Sequence, residues 1–215
     1  MQSGKKMENE ILGLNSKVNL NCTLCEKCCE YRGDIKITPI NVLQISKFLK
    51  ISIDEFLEKY TEEVKGEEPE IVIKGIGEKK ECIFNNRENF RCKIHKVKPM
   101  QCVVFPLVPV DLKRDLFINT NGCVLKNDKK TTVNKWLNGN HHIYSKNKNI
   151  YIKWINLMEE IQPWWRTLQE ENKNEIKVLL YKDYNLNKNF EKQVESNIKN
   201  ARELFYECRK KIDNT

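Results

Sequence analysis

Four cysteines in eight residues, Cys22-x-x-Cys25-x-x-Cys28-Cys29, constrain this chain more than any other feature. Thiols at that density make a poor apolar core. They make a good metal nest, because two-residue gaps let one loop wrap successive thiolates around a soft or borderline centre. Cys28 and Cys29 are adjacent, and neighbouring side chains in an extended segment point to opposite sides. One tetrahedral ion uses such a pair awkwardly; two centres use it simply.

The remaining cysteines extend this reading. Cys82, Cys92, Cys102 and Cys123 follow at wide gaps, and Cys208 stands alone near the C-terminus, for nine in 215 residues. Cys22, Cys25 and Cys28 with one distal Cys then form one ligand set, and Cys29 with the other distal Cys a second. The spacing does not say which distal Cys joins which set. Wide gaps differ from the zinc ribbon, with its two C-x-x-C pairs across a moderate loop. The first nest is closer to bacterial ferredoxins, where three Cys at two-residue gaps precede a fourth that serves another cluster. Iron–sulfur centres of the 4Fe-4S type are therefore the expectation, with zinc the alternative. Charge does not separate them, since four thiolates around zinc and around a 2+ iron–sulfur core leave the same net charge. Lys27, Arg91, Lys93, Lys96 and Lys98 lie near the thiols in sequence and would offset that charge, although each also reads as an ordinary solvated side chain.

The first fourteen residues are charged and lack a signal-peptide core, and no apolar run is long enough to span a bilayer. The chain is expected to be cytoplasmic, where Cys clusters bind metal or do redox chemistry more often than they form disulfides. The odd Cys count agrees. Charged residues at 32% and hydrophobic ones at 40% describe a globular chain. The sequence carries no Ser/His/Asp constellation, no framed pair of carboxylates and no phosphate loop; Gly75-Ile76-Gly77 does not continue as a glycine-rich nucleotide motif.

The pattern predicts an α+β chain: an irregular cysteine-cluster domain over 15–130, with short strands and two helices, followed by a helical extension over 131–215 packed on it. Asp34–Ile37 alternates as an extended segment. Thr38-Pro39 opens a helix with Val42, Ile45, Phe48 and Leu49 on one face. Ser52 and Glu55 form a capping box for a second helix to about Tyr60. Thr61–Glu70 is acidic and reads as a loop, and Glu70–Ile76 as a strand. From Cys82 to Pro109, short extended pieces alternate with turns, and proline excludes a continuous helix. Leu116–Asn119 is one more strand. Helices are expected over Ile150–Ile161, Trp164–Tyr181 and Lys188–Ile212, the last with Val194, Ile198, Ala201, Leu204 and Phe205 at helical spacing. Few regular elements and many Cys predict that metal, more than apolar burial, organises the first half.

The nest, Ile37-Thr38-Pro39, Cys82-Ile83-Phe84, Cys92-Lys93-Ile94-His95, Lys98-Pro99-Met100-Gln101-Cys102 and Phe105-Pro106 together resemble, in this order, the CxxCxxCC cysteine-cluster proteins, the YkgJ-like zinc- or iron-chelating domains. The resemblance covers about Asn21 to Cys123 and implies the eight Cys as chelators. It implies little about a reaction. Flagellin lysine N-methylases share a similar cluster, but this chain is short for that enzyme.

Other residues have weaker readings. His95 lies near Cys92 and could replace a thiolate at zinc, but eight Cys close the ligand count without it. His141 and His142 read as surface residues. The basic segment from Lys126 to Lys153 mixes lysines with Trp136, Tyr144, Tyr151 and Trp154, a composition that could meet nucleic acid or an acidic protein. Solvated lysines over buried aromatics explain it more simply. Trp164-Trp165 could line a pocket, and more simply pack between helices.

Overall fold

A computed structural model of the chain describes residues 10–20, 29, 35–64, 69–86, 88, 91–119, 130–139 and 141–213. After β1 (Lys17–Val18) come α1 (Pro39–Leu49) and α2 (Ile53–Tyr60). Thr38 starts α1: its N–H and hydroxyl donate to Asn41 Oδ1 at 3.1 and 2.9 Å. Pro39 follows at the one helical position where a missing N–H costs nothing. Ser52 Oγ accepts from the Glu55 N–H at 3.1 Å and caps α2 as the sequence predicts. The predicted face of α1 holds for Val42 and Ile45 but not for Phe48, which is 40% exposed. Ile40 and Leu43 are buried as well, because the first turns of α1 are enclosed by several helices and only the last emerges.

The acidic stretch after α2 begins as a strand, not as the expected loop. β2 (Thr61–Glu63) pairs antiparallel with β3 (Ile71–Ile73), Thr61 opposite Ile73. Segment 35–37 lines the other edge of β3: Ile37 N–H donates to Ile71 O at 3.0 Å and Ile73 N–H to Ile35 O at 2.9 Å. With a neighbour on each side, β3 buries all three of its residues. Glu62 and Glu63 tolerate strand geometry because they lie on an edge, where their carboxylates reach solvent.

Two small hairpins follow, β4 (Gly75–Ile76) with β5 (Glu81–Cys82) and β6 (Asn85–Asn86) with β7 (Arg91–Cys92). A 3₁₀ turn at His95–Val97 leads to α3 (Met100–Val104), a helix absent from the sequence expectation. It fits because Pro99 stands at its N-cap and Pro106 lies beyond its end, so proline sets its length without breaking it. β8 (Leu107–Asp111) then pairs with β9 (Leu116–Asn119), and β10 (Thr131–Thr132) returns to β1.

The rest is helical: α4 (Val133–Asn138), α5 (Ile143–Ile161), a 3₁₀ turn over Gln162–Thr167, α6 (Glu170–Tyr181) and α7 (Phe190–Asp213). α5 starts at Ile143 and not at Ile150, because the polar opening turns also face the core. Asn147 exchanges two amide hydrogen bonds with Gln44 of α1, at 2.9 and 3.0 Å. Trp164 and Trp165 sit in the 3₁₀ turn and not in α6. Trp165 is buried, and the Arg209 guanidinium lies 4.1 Å from the Trp164 ring centre, so the pair packs between helices.

One apolar core joins Ile37, Leu43, Phe56, Ile73 and Phe84 to Leu157, Leu180, Ile198 and Phe205. A second gathers Leu12, Val18, Leu107 and Phe117 around Val133 and Leu137. The expectation of weak apolar burial in the first half therefore does not describe residues 35–94. α1 and β3 contribute Ile40, Val42, Leu43, Ile45, Ile71 and Ile73 to this core, and the hairpins with their connection add Cys82 and Phe84.

Candidate metal centre

Of the eight cysteines expected to chelate, Cys29, Cys82, Cys92 and Cys102 lie among the described residues, whereas Cys22, Cys25, Cys28 and Cys123 lie outside them. The four described cysteines all border the first core: Cys82 is buried in it, and the other three are partly buried against it. Among the described residues, no three His, Cys, Asp or Glu side chains form a group of metal-binding size.

Backbone bonds tie these positions together. The Cys82 N–H donates to Cys29 O at 3.1 Å, so the last cysteine of the nest lies alongside β5. Residues joined in this way have Cα atoms roughly 5 Å apart, a separation over which two thiolates can reach one centre. Cys82 stands opposite Gly75, and the Ile83 N–H donates to Lys74 O at 3.1 Å. Gly75 suits a close approach: a Cβ there would stand 3.1 Å from the Lys80 backbone and Cβ, tighter than ordinary contact. Gly77, at φ +68, turns the same hairpin in the left-handed region that favours glycine.

Cys92 stands opposite Asn85, and the Lys93 N–H donates to Phe84 O at 2.9 Å. Phe84 anchors the stretch between the two cysteines. Its ring stacks on Tyr60 of α2 with centres 5.1 Å apart and planes 14° from parallel. Ile94, fully buried two residues after Cys92, is a second anchor. Cys102 lies in α3, whose Gln101 Oε1 accepts the Lys36 N–H at 2.8 Å. That bond joins the helix of one distal cysteine to the strand leaving the nest. Phe84 and Gln101 stand in the family-like motifs of the sequence, yet their positioning roles depend on partners 24 and 65 residues away.

Thiol donors on a backbone-paired frame suit a soft or borderline metal, and the donor set fits either zinc or an iron–sulfur cluster. The nearby cations are mostly solvated: Arg91, Lys93 and Lys96 are exposed. Cys208 is buried in α7 within the first core, and burial raises its thiol above the ordinary cysteine range.

His141, expected at the surface, is half-buried and meets His95 edge to face, with ring centres 5.8 Å apart. Burial, the Lys98 charge and His141 hold the His95 imidazolium below its usual range. The aromatics of the basic segment turn inward. Tyr144 and Trp154 are buried, and Trp136 Nε1–H donates to Phe105 O at 3.1 Å. Tyr144 donates to Asp115, which also pairs with Lys148 at 2.6 Å. Lys153 pairs with Glu195 at 2.5 Å. No helix among the described residues is long and apolar enough to cross a membrane.

Comparison with known proteins adds a family to this geometry. The CxxCxxCC model, described as "Putative zinc- or iron-chelating domain", matches residues 21–138, more than half of the chain. An uncharacterized protein of Methanocaldococcus jannaschii is 31% identical over 109 residues, which cover 49% of this chain and 56% of the relative. The chain thus spans little more than half the length of the curated relative it matches. No solved structure matches it.

Proposed function

Since this chain belongs to the CxxCxxCC zinc- or iron-chelating family, we propose that it holds two iron–sulfur centres on eight cysteine thiolates and serves a redox step or supports a modification reaction. The observation that supports the grouping of these ligands is the backbone pairing of Cys29 with Cys82. It favours these two as ligands of one centre, with Cys22, Cys25 and Cys28 belonging to the other. Adjacent Cys28 and Cys29 would then serve different centres, in line with the sequence expectation for neighbouring side chains. When bound, such clusters supply one-electron chemistry. The protein's own part is to fix the thiolates: the Gly75–Cys82 hairpin, the Phe84 anchor and the Gln101 tie hold three distal cysteines against the core. We assign residues 15–130 to the cysteine-cluster domain and 131–215 to a helical extension packed on it, which the shared apolar core supports.

The test is metal identity. Protein purified without oxygen should be brown, contain iron and sulfide, and show a broad visible charge-transfer band that dithionite bleaches. Colourless protein with about two zinc ions per chain and no iron would replace this reading with a structural zinc module that mediates interactions.

A further inference from the structure

We propose that His95 and His141 form a separate, open metal site, a two-imidazole seat for a borderline divalent transition metal such as zinc, cobalt or nickel. The rings stand 5.8 Å apart, centre to centre, with planes at 71°. A metal bound at about 2.0–2.1 Å by one nitrogen of each ring lies about 3 Å from each ring centre, so tetrahedral ligation separates the centres by about 5 Å. The observed pair stands slightly wider than that and edge to face, so sharing an ion requires side-chain rotation that turns a nitrogen edge of each ring toward one point. Imidazole is a good ligand for these metals, and no thiolate is needed.

Both arms are already held in place. His95 opens the 3₁₀ turn that follows the buried Ile94, where the Val97 N–H donates to Ile94 O at 2.9 Å. His141 lies in the turn between α4 and α5, where its N–H and that of His142 donate to Asn138 O at 3.3 and 2.7 Å. These bonds hold both backbones, so the adjustment falls on the two side chains and the ordering cost is small. Each ring is only partly buried, which leaves room for water to complete the coordination, unlike a closed structural site. Lys98 is close enough for its charge to act on His95. That charge opposes a bound cation and weakens the site.

The site uses no cysteine, so its test stands apart from that of the thiolate centres. Full-length protein, with those centres filled as purified, is titrated with zinc by calorimetry and with cobalt(II) by visible spectroscopy. We expect one additional equivalent, with weak cobalt ligand-field bands and no added thiolate charge transfer. His95→Ala and His141→Ala should each weaken this binding at least tenfold, whereas His142→Ala should leave it unchanged. Lys98→Met should tighten it, a gain that impaired folding would not produce. Four results would each overturn the proposal: no additional equivalent in the unaltered protein, unchanged affinity in both His variants, an equal loss in His142→Ala, or no tightening in Lys98→Met.

Discussion

Gly75 and Gly13 show how differently a single methyl group acts at two places. At Gly75 a new Cβ meets the Lys80 backbone, which cannot swing aside as a flexible side chain would. Gly75→Ala should destabilise the protein by about 1–2 kcal/mol through local overpacking and shift the hairpin that carries Cys82. Gly13 has nothing within 4 Å of its Cβ position, so Gly13→Ala should be neutral or stabilise by about 0.5 kcal/mol. Chemical denaturation of both variants checks the contrast, and equal effects would count against a tight β4–β5 turn. Cys208 follows the same logic. Its thiol is buried among apolar side chains, so Cys208→Ala should lower stability and leave bound metal unchanged, whereas loss of metal would make it a ligand.

Among the elements, the cysteine-bearing pieces are too short to be stable alone and depend on what they lean against. Phe84 couples the two hairpins to α2 through its stack on Tyr60. Phe84→Ala removes a fully buried ring and should cost roughly 3–5 kcal/mol. Phe84→Leu keeps most of the volume and should cost less, so metal retention should follow the order native, Leu, Ala. Equal metal content in all three would show that the anchor does not position Cys82 and Cys92. Local signals announced α1 and α2 because a cap and a proline act within one turn of the helix they start. β2 was hidden because Glu62 and Glu63 lower strand propensity, and only pairing with β3 overrides it. α3 was hidden because two prolines read as extended structure, although the interval between them holds a short helix. The sequence marked the nest and the distal cysteines as candidate ligands through residue type, spacing and family resemblance. Their frame was not legible, because it rests on bonds such as Lys36 to Gln101 and Cys82 to Cys29, for which sequence has no local mark. The His95–His141 contact was hidden for the same reason.

At the scale of the whole molecule, the shared core makes the two halves interdependent. Leu157 on α5 and Phe205 on α7 are fully buried in the cluster that also borders Cys29, Cys82, Cys92 and Cys102. Leu157→Ala should cost roughly 2–5 kcal/mol. For a chain of this size that lowers Tm by roughly 10 °C. Metal release, followed by absorbance, should move down together with helix loss, followed by circular dichroism, because coincident transitions mark one cooperative unit. Metal release that stayed at its original temperature would mean that the cysteine region folds independently of the helices.

The division of the cysteines between two centres is tested most directly by the metal content of the Cys29→Ser protein. Cys29 lies beside Cys82 and next in sequence to Cys28, so its loss should empty one centre and spare the other. Elemental analysis should find about half the metal per chain of the unaltered protein, with Cys82→Ser giving the same value. Full metal content in Cys29→Ser would contradict the two-centre account.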